Sequence, residues 1–250
     1  MREPGETSGP GGTVRHIAGW LCLFGLAYAG MQILPTFLRR DITNDFRTGD
    51  LLGVFAPFVV VPVAWRTFLM VRAELGARRP RTAALTTLLL MFSSLLYAQG
   101  QGMNLAANAV ARHLVGLEGT SLYRLDYLFD ETLGHLLWHT GVVGISLALI
   151  LLAQGLAAPA RPALTVPGGI AYGFTYFTDG VEGQTVPLLL PAAVLMSLWL
   201  LSRGRWRLGN VAQNPVWLFF LVGAAVALTL FAVWRIWQGS FVQFSELGWI

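Results

Sequence analysis

The chain has 250 residues, 55% of them apolar and only 12% charged, with a mean hydropathy of +0.59; soluble domains carry about 25% charged residues, so a soluble globular fold is excluded. The single cysteine, Cys22, lies inside an apolar run, which excludes disulfides and cysteine metal sites. The net charge of +4 comes from seventeen Arg and no Lys, which excludes a Schiff-base chromophore, and the Arg are dispersed in short loops beside apolar segments, so they read as a topology signal and not as a nucleic-acid surface.

Residues 1–13 (MREPGETSGPGGT) are rich in Gly, Pro and Ser and contain no apolar run. They are expected to form a disordered cytoplasmic tail ahead of a single domain, 14–250. The apolar stretch that follows is longer than the core of a signal peptide and has no convincing small-residue cleavage site, so it is expected to remain as the first span.

Segments of the roughly 20 residues that a hydrocarbon layer requires are drawn at Val14–Leu38, Leu51–Val71, Thr82–Leu114, Leu128–Ala158, Pro167–Thr178, Thr185–Leu201 and Pro215–Trp237. The fifth is short and weakly apolar, so the count is about seven with six as the alternative. The fold class is therefore an all-α integral membrane protein, a compact helical bundle in a cell membrane. The exclusive use of Arg fits a GC-rich bacterial genome and hence a bacterial plasma membrane.

With the N-terminus cytoplasmic, eleven Arg fall on that side (Arg2, Arg15, Arg66, Arg72, Arg78, Arg79, Arg81, Arg161, Arg203, Arg205, Arg207) and six on the other (Arg39, Arg40, Arg47, Arg112, Arg124, Arg235). The excess sets the orientation. Pro35, Pro57, Pro62 and Pro191 are expected to kink or end helices, and Trp199, Trp206, Trp217, Trp234 and Trp237 fall near segment ends as an aromatic belt does.

On the third segment Ser94, Tyr97, Gln101, Asn104, Asn108 and Arg112 are spaced by 3, 4, 3, 4 and 4 residues, which puts them on one helical stripe. A polar stripe in an apolar helix faces protein or water. It serves either as interhelical hydrogen bonding or as the lining of a site.

The fourth segment opens YLFDETLGHLLWHTG, where Glu131, His135 and His139 recur every four residues and Asp130 precedes them. Ionisable side chains within a membrane cost about 2.5–3.5 kcal/mol each on insertion scales and are functional by default. Two imidazoles at i, i+4 present themselves to one metal ion, as in HExxH helices.

The fifth segment ends GFTYFTDGVEGQT, with Tyr172, Tyr176 and Asp179 on one face and Glu182 one turn on. Asp179-Gly180 also reads as a turn.

Two imidazoles, one carboxylate and an open position form the ligand set of catalytic zinc, which brings the pKa of bound water to about 7. On this reading His135 and His139, with Glu131 or Asp179, hold a divalent ion, zinc first among the candidates. Asp130 or Glu131 handles the proton, and Asn104 and Asn108 stabilise developing charge. Gln101, Tyr97, Tyr176 and Glu182 contact substrate. A polar site within a bundle open to lipid points to hydrolysis of a lipid-like amide or ester, or of another small molecule.

In one short motif and in helix count the chain resembles the superfamily of alkaline ceramidases and adiponectin-type receptors, seven-helix membrane zinc hydrolases with an HxxxH pair. That superfamily carries HxxxH on its last helix, with a further Ser and His on early helices, so no residue role is transferred. A proton- or ion-coupled transporter, and a non-catalytic metal-binding or structural membrane protein, use the same polar cluster. The oligomeric state has no signature in the sequence.

Overall fold

Long apolar runs with few charges satisfy their backbone polar groups internally only as helices or closed barrels when they lie in lipid. The computed structural model, which describes residues 10–43, 46–76, 79–156 and 160–249, is built accordingly from helices. In chain order they are α1 (Pro10–Phe37), α2 (Thr48–Leu75), α3 (Pro80–Ala111), α4 (Ser121–Tyr127), a wide π-helical turn (Leu128–Gly134), α5 (His135–Leu152), α6 (Pro162–Glu182), α7 (Val186–Arg203), α8 (Leu208–Val211) and α9 (Pro215–Gln238). The loop between α1 and α2 carries a two-stranded antiparallel ribbon, β1 (Asp41–Thr43) and β2 (Phe46–Arg47).

Among the described residues, six helices are long and apolar enough to cross a membrane, with α4, the π-turn and α5 forming one unbroken helix, Ser121–Leu152. The fifth expected segment proves longer than its hydropathy indicated, since α6 has 21 residues. At 1.5 Å per residue that is about 31 Å, the thickness of a hydrocarbon layer. Residues 1–9 of the expected N-terminal tail, and Arg2 and Arg78 of the charge count, lie outside the described residues. Pro10 to Thr13 belong to α1.

Two expectations about local structure are corrected. The fourth span ends at Leu152 and turns at Ala153–Gly155, not at Ala158. Asp179-Gly180 is not a turn but the last turns of α6, because Gly180 is used for packing: a Cβ there would stand 2.9 Å from Cζ of Phe231. The chain reverses instead at Gly183–Thr185, where Gln184 takes φ 51°. Pro35, Pro57, Pro62 and Pro191 all lie inside helices.

The pairs α3–α5, α1–α2, α1–α6 and α6–α9 pack most closely, and three of these seams run on glycine. Gly141 of α5 faces the α3 backbone, where a Cβ would overlap Tyr97 and come within 2.7 Å of the Ser93 carbonyl oxygen. Gly25 meets Gly168 between α1 and α6, and Gly173 meets Gly223 between α6 and α9. Lipid tails are as apolar as Leu, so close backbone approach and hydrogen bonding drive such association. The helix Ser121–Leu152 is 67% buried over its most apolar window, against 28–39% for the other five spans, and so forms the centre.

One end of the bundle is tied by Arg203 Nη2 donating to Gln154 Oε1 (3.0 Å), Asn214 Nδ2 donating to the Ala153 carbonyl (2.8 Å) and Ala160 N–H donating to the Ala212 carbonyl (2.9 Å). The other end gathers the C-terminal ends of α1, α3, α6 and α9 with the N-terminal ends of α2 and α5. The unusual polar residues are concentrated there.

Candidate functional site

At that second end the helices enclose a cavity of about 1040 Å³. One part of its wall is apolar and aromatic, from Phe37, Leu105, Phe174, Phe177, Leu230 and Trp234 among others. The other is polar, from Gln101, Asn104, Asn108, Glu131, His135, Asp179 and Glu182.

The stripe on α3 is used along its whole length, by three different neighbours. Ser94 Oγ accepts from Trp65 Nε1 of α2 at 3.2 Å. Gln32 of α1 donates through Nε2 to Tyr97 OH at 2.7 Å and to Gln101 Oε1 at 3.3 Å. Asn104 and Asn108 both donate to Asp130 Oδ1, at 2.6 and 3.1 Å, and Arg112 Nη2 pairs with Asp50 Oδ2 at 2.6 Å.

Asp130 and Glu131 sit on the π-turn, a single wide turn of the kind that often marks functional sites. The turn carries the Asp130 carboxylate to α3. The contact fixes the tautomer of His135: Asn104 presents its NH₂ to Asp130, and the same group lies 3.2 Å from His135 Nε2. Nε2 therefore accepts, and neutral His135 carries its proton on Nδ1. Nδ1 faces Glu131 Oε2 at 3.8 Å, too long for a hydrogen bond.

His139 is fully buried, with Nδ1 2.5 Å from Thr185 Oγ1 in the α6–α7 turn. Its ring stacks on His135 with centroids 5.7 Å apart and planes 23° apart, and Trp138 lies against both. Four buried polar atoms have no hydrogen-bond partner among the described residues: Glu131 Oε2, His135 Nδ1, Trp138 Nε1 and His139 Nε2. Two of these groups have longer-range partners all the same: the Glu131 backbone carbonyl for the His135 ring and the Gln243 amide for the Glu131 carboxylate.

The α6 residues part company. Asp179 lines the cavity, and its Oδ2 accepts from Tyr28 OH at 2.5 Å. Tyr172 bonds Ser146 on α5 at 2.7 Å. Tyr176, expected to contact substrate, does not line this cavity and donates to the Leu189 carbonyl on α7 at 2.8 Å. Tyr97 is also absent from the lining and stands behind Gln32 and Gln101. Glu182 does line it, and Oε2 accepts from the backbone N–H of Phe244 (2.8 Å) and Ser245 (3.3 Å).

Of the residues expected to hold a metal ion, His135 and His139 with Glu131 or Asp179, the two imidazoles and Glu131 lie beside one another and Asp179 bonds Tyr28 instead. Among the described residues no group of three or more His, Cys, Asp and Glu is placed to hold an ion. The two imidazole planes are 23° apart, and Asp179 accepts from Tyr28.

Five contributors are absent from the sequence reading: Tyr28, Gln32, Trp138, the π-turn, and the segment after α9 that adds Phe244 and Trp249 to the wall. Gln32 was legible as a lone amide within an apolar span. A π-turn has no residue signature, and Trp138 reads as one more apolar residue.

Fold and apolar helices together define a multi-pass helical membrane protein with a polar-floored cavity. No family model matches the chain, and no curated protein or solved structure matches it either.

Proposed function

We propose that the protein is a membrane enzyme that takes a lipid-like molecule into this cavity by its polar head and hydrolyses an acyl bond there. The observation that carries the reading is the divided wall: an apolar and aromatic surface beside a polar one lined by Gln101, Asn104, Asn108, Glu131 and His135. Pockets that are mostly apolar with a few convergent polar groups are the usual form of a small-molecule site.

The side chains divide the work as follows. His135 Nδ1–H and Trp138 Nε1–H donate to the acyl carbonyl oxygen and to the oxyanion that forms when water adds to the carbon. The Glu131 carboxylate takes the proton from that water and returns it to the leaving oxygen or nitrogen as the acyl bond breaks, leaving an acid and an alcohol or amine. Asp130, Asn104 and Asn108 are positioning residues that hold His135 in the tautomer this requires. Zinc, expected from the HxxxH spacing, is not needed in this scheme.

The reading includes seven crossings with α6 as the fifth, since α6 runs from the end that joins Ala160 to Ala212 to the end where Glu182 lines the cavity. The cavity then faces away from the Arg-richer side, with the N-terminus cytoplasmic.

The test is release of product from long-chain fluorogenic amides and esters in mixed micelles. Product above the protein-free rate, lost in His135→Ala and Glu131→Gln while both variants fold, supports the reading. No product, or an unchanged rate in both variants, sinks it. A second reading, proton-coupled transport, draws on the buried Asp179–Tyr28 pair, a second carboxylate on the same cavity that the hydrolytic scheme leaves unused.

A further inference from the structure

The chain after α9 is folded back onto the site. Gly239, in the left-handed region at φ 73°, ends the helix. Trp234 Nε1 then donates to the Val242 carbonyl at 3.1 Å, and the rings of Phe244 and Trp249 lie 4.7 and 5.4 Å from that of Trp234 while forming part of the cavity wall. The N–H groups of Leu247, Gly248 and Trp249 bond back to the carbonyls of Gln243, Ser245 and Phe244, which closes the segment into a compact turn.

Gln243 is the centre of this turn and is 8% exposed. Its side-chain amide reaches three other parts of the fold. Nε2 donates to the Glu182 carbonyl at the end of α6 at 2.5 Å, and Oε1 accepts from Gln184 Nε2 in the α6–α7 turn at 3.0 Å. The longer-range contact of the amide with the Glu131 carboxylate also runs through Nε2, because a carboxylate only accepts. Glu182 and Glu246 both lie close enough to Glu131 to repel it. Each of those two has a backbone donor from the segment: Phe244 and Ser245 N–H for Glu182 Oε2, and Gln243 N–H for Glu246 Oε2 at 3.4 Å. For Glu131 the segment supplies the Gln243 side chain.

We infer that Gln243 is a positioning residue of the site: its amide holds the Glu131 carboxylate in place against Glu182 and Glu246, and segment 240–249 is the strap that delivers it. The proton-transfer role of that carboxylate rests on the proposed hydrolysis, whereas the hold of the strap on it does not.

The experiment is limited chymotrypsin digestion of the full chain in maltoside micelles, with cleavage after Phe244 compared with cleavage after Leu117 in the loop 112–120. When the strap opens and closes faster than the protease cuts, the rate follows its open population. Gln243→Met, Glu131→Met and the double variant complete a cycle in which the repulsion that Glu131→Met also removes cancels. Glu131→Met is expected to raise cleavage after Phe244 about threefold more in the wild-type background than in Gln243→Met, the average side-chain bond between membrane helices converted at 1.4 kcal/mol per tenfold. Cleavage after Leu117 stays unchanged. If Gln243→Met speeds that cleavage too, the cycle is run with Gln243→Asn, whose shorter amide loses the same contact, and the same ratio is required.

A ratio near one overturns the inference, and product in the hydrolysis assay then leaves the proposed function standing. With the threefold ratio and product both found, Gln243→Met lowers kcat about tenfold or more with KM little changed, while Trp249→Ala, which removes cavity wall, acts on KM; an effect of Gln243→Met on KM alone overturns the positioning role. The threefold ratio without product sinks hydrolysis and supports the hold of the strap on Glu131.

Discussion

The contact between Asn104 and Asp130 decides which nitrogen of His135 is free, so its energy is the first quantity to measure. The bond is short, 2.6 Å, and joins α3 to the π-turn, whereas Asn108 reaches the same oxygen at 3.1 Å. Side-chain hydrogen bonds between membrane helices average about 0.6 kcal/mol with a maximum near 1.7, while bonds to charged groups in soluble proteins are worth about 1.5–3 kcal/mol. A short bond to a buried carboxylate belongs at the upper end of the membrane range. A double-mutant cycle between Asn104→Ala and Asp130→Ala is therefore expected to show a coupling of about 1–1.7 kcal/mol, and the cycle with Asn108→Ala about half of that. Unfolding in mixed micelles, followed by steric trapping, gives the four stabilities. Because Asn104→Ala also releases His135 Nε2, the cycle is repeated in a His135→Ala background, where a true Asn104–Asp130 term persists. A coupling under about 0.3 kcal/mol is within the additivity of independent sites and refutes the assignment, as does a larger value for Asn108 than for Asn104.

Gly141→Leu drives a side chain into the Tyr97 backbone and is expected to destabilise the folded protein by about 1–3 kcal/mol or more, whereas Gly102→Leu, with nothing within 4 Å of its Cβ, stays near neutral in the same unfolding assay. In a background without Cys22, Glu118→Cys is expected to react with an impermeant thiol reagent in intact cells and Glu74→Cys only after lysis; the opposite pattern inverts the orientation. Elemental analysis of the purified protein decides the metal reading: about one zinc per chain that is lost in a His135→Ala, His139→Ala double variant supports it, and no metal in either protein sinks it. Glu182→Ala frees the backbone N–H groups of Phe244 and Ser245 and is expected to speed proteolysis after α9, with α3–α5 coupling unaffected.

The helices were legible because their cause is local: apolar runs of the right length are bounded by Arg, Gly and Pro, as with α9, which starts at Pro215 and ends before Gly239. The stripe from Ser94 to Arg112 was legible for the same reason, since spacing alone puts those residues on one face. Which neighbour each would meet depended on how helices distant in sequence pack. Arg112, for example, pairs with Asp50, 62 residues away. The HxxxH spacing puts two imidazoles on one side of a helix, where in the structure their rings stack. Hydropathy undervalued α6 because its glycines and buried polar groups face other helices and not lipid.

The wide turn at Leu128–Gly134 makes residue number, as well as residue identity, part of the site. Deleting any one residue there would let the chain close as ordinary α-helix and rotate everything before it by about 100° relative to α5. Asp130 would leave Asn104 with no substitution having occurred, and His135 would lose the contact that settles its tautomer. Changes of length in this stretch are therefore expected to be tolerated less well than changes of composition, the reverse of what holds in the exposed loop 112–120 that precedes it.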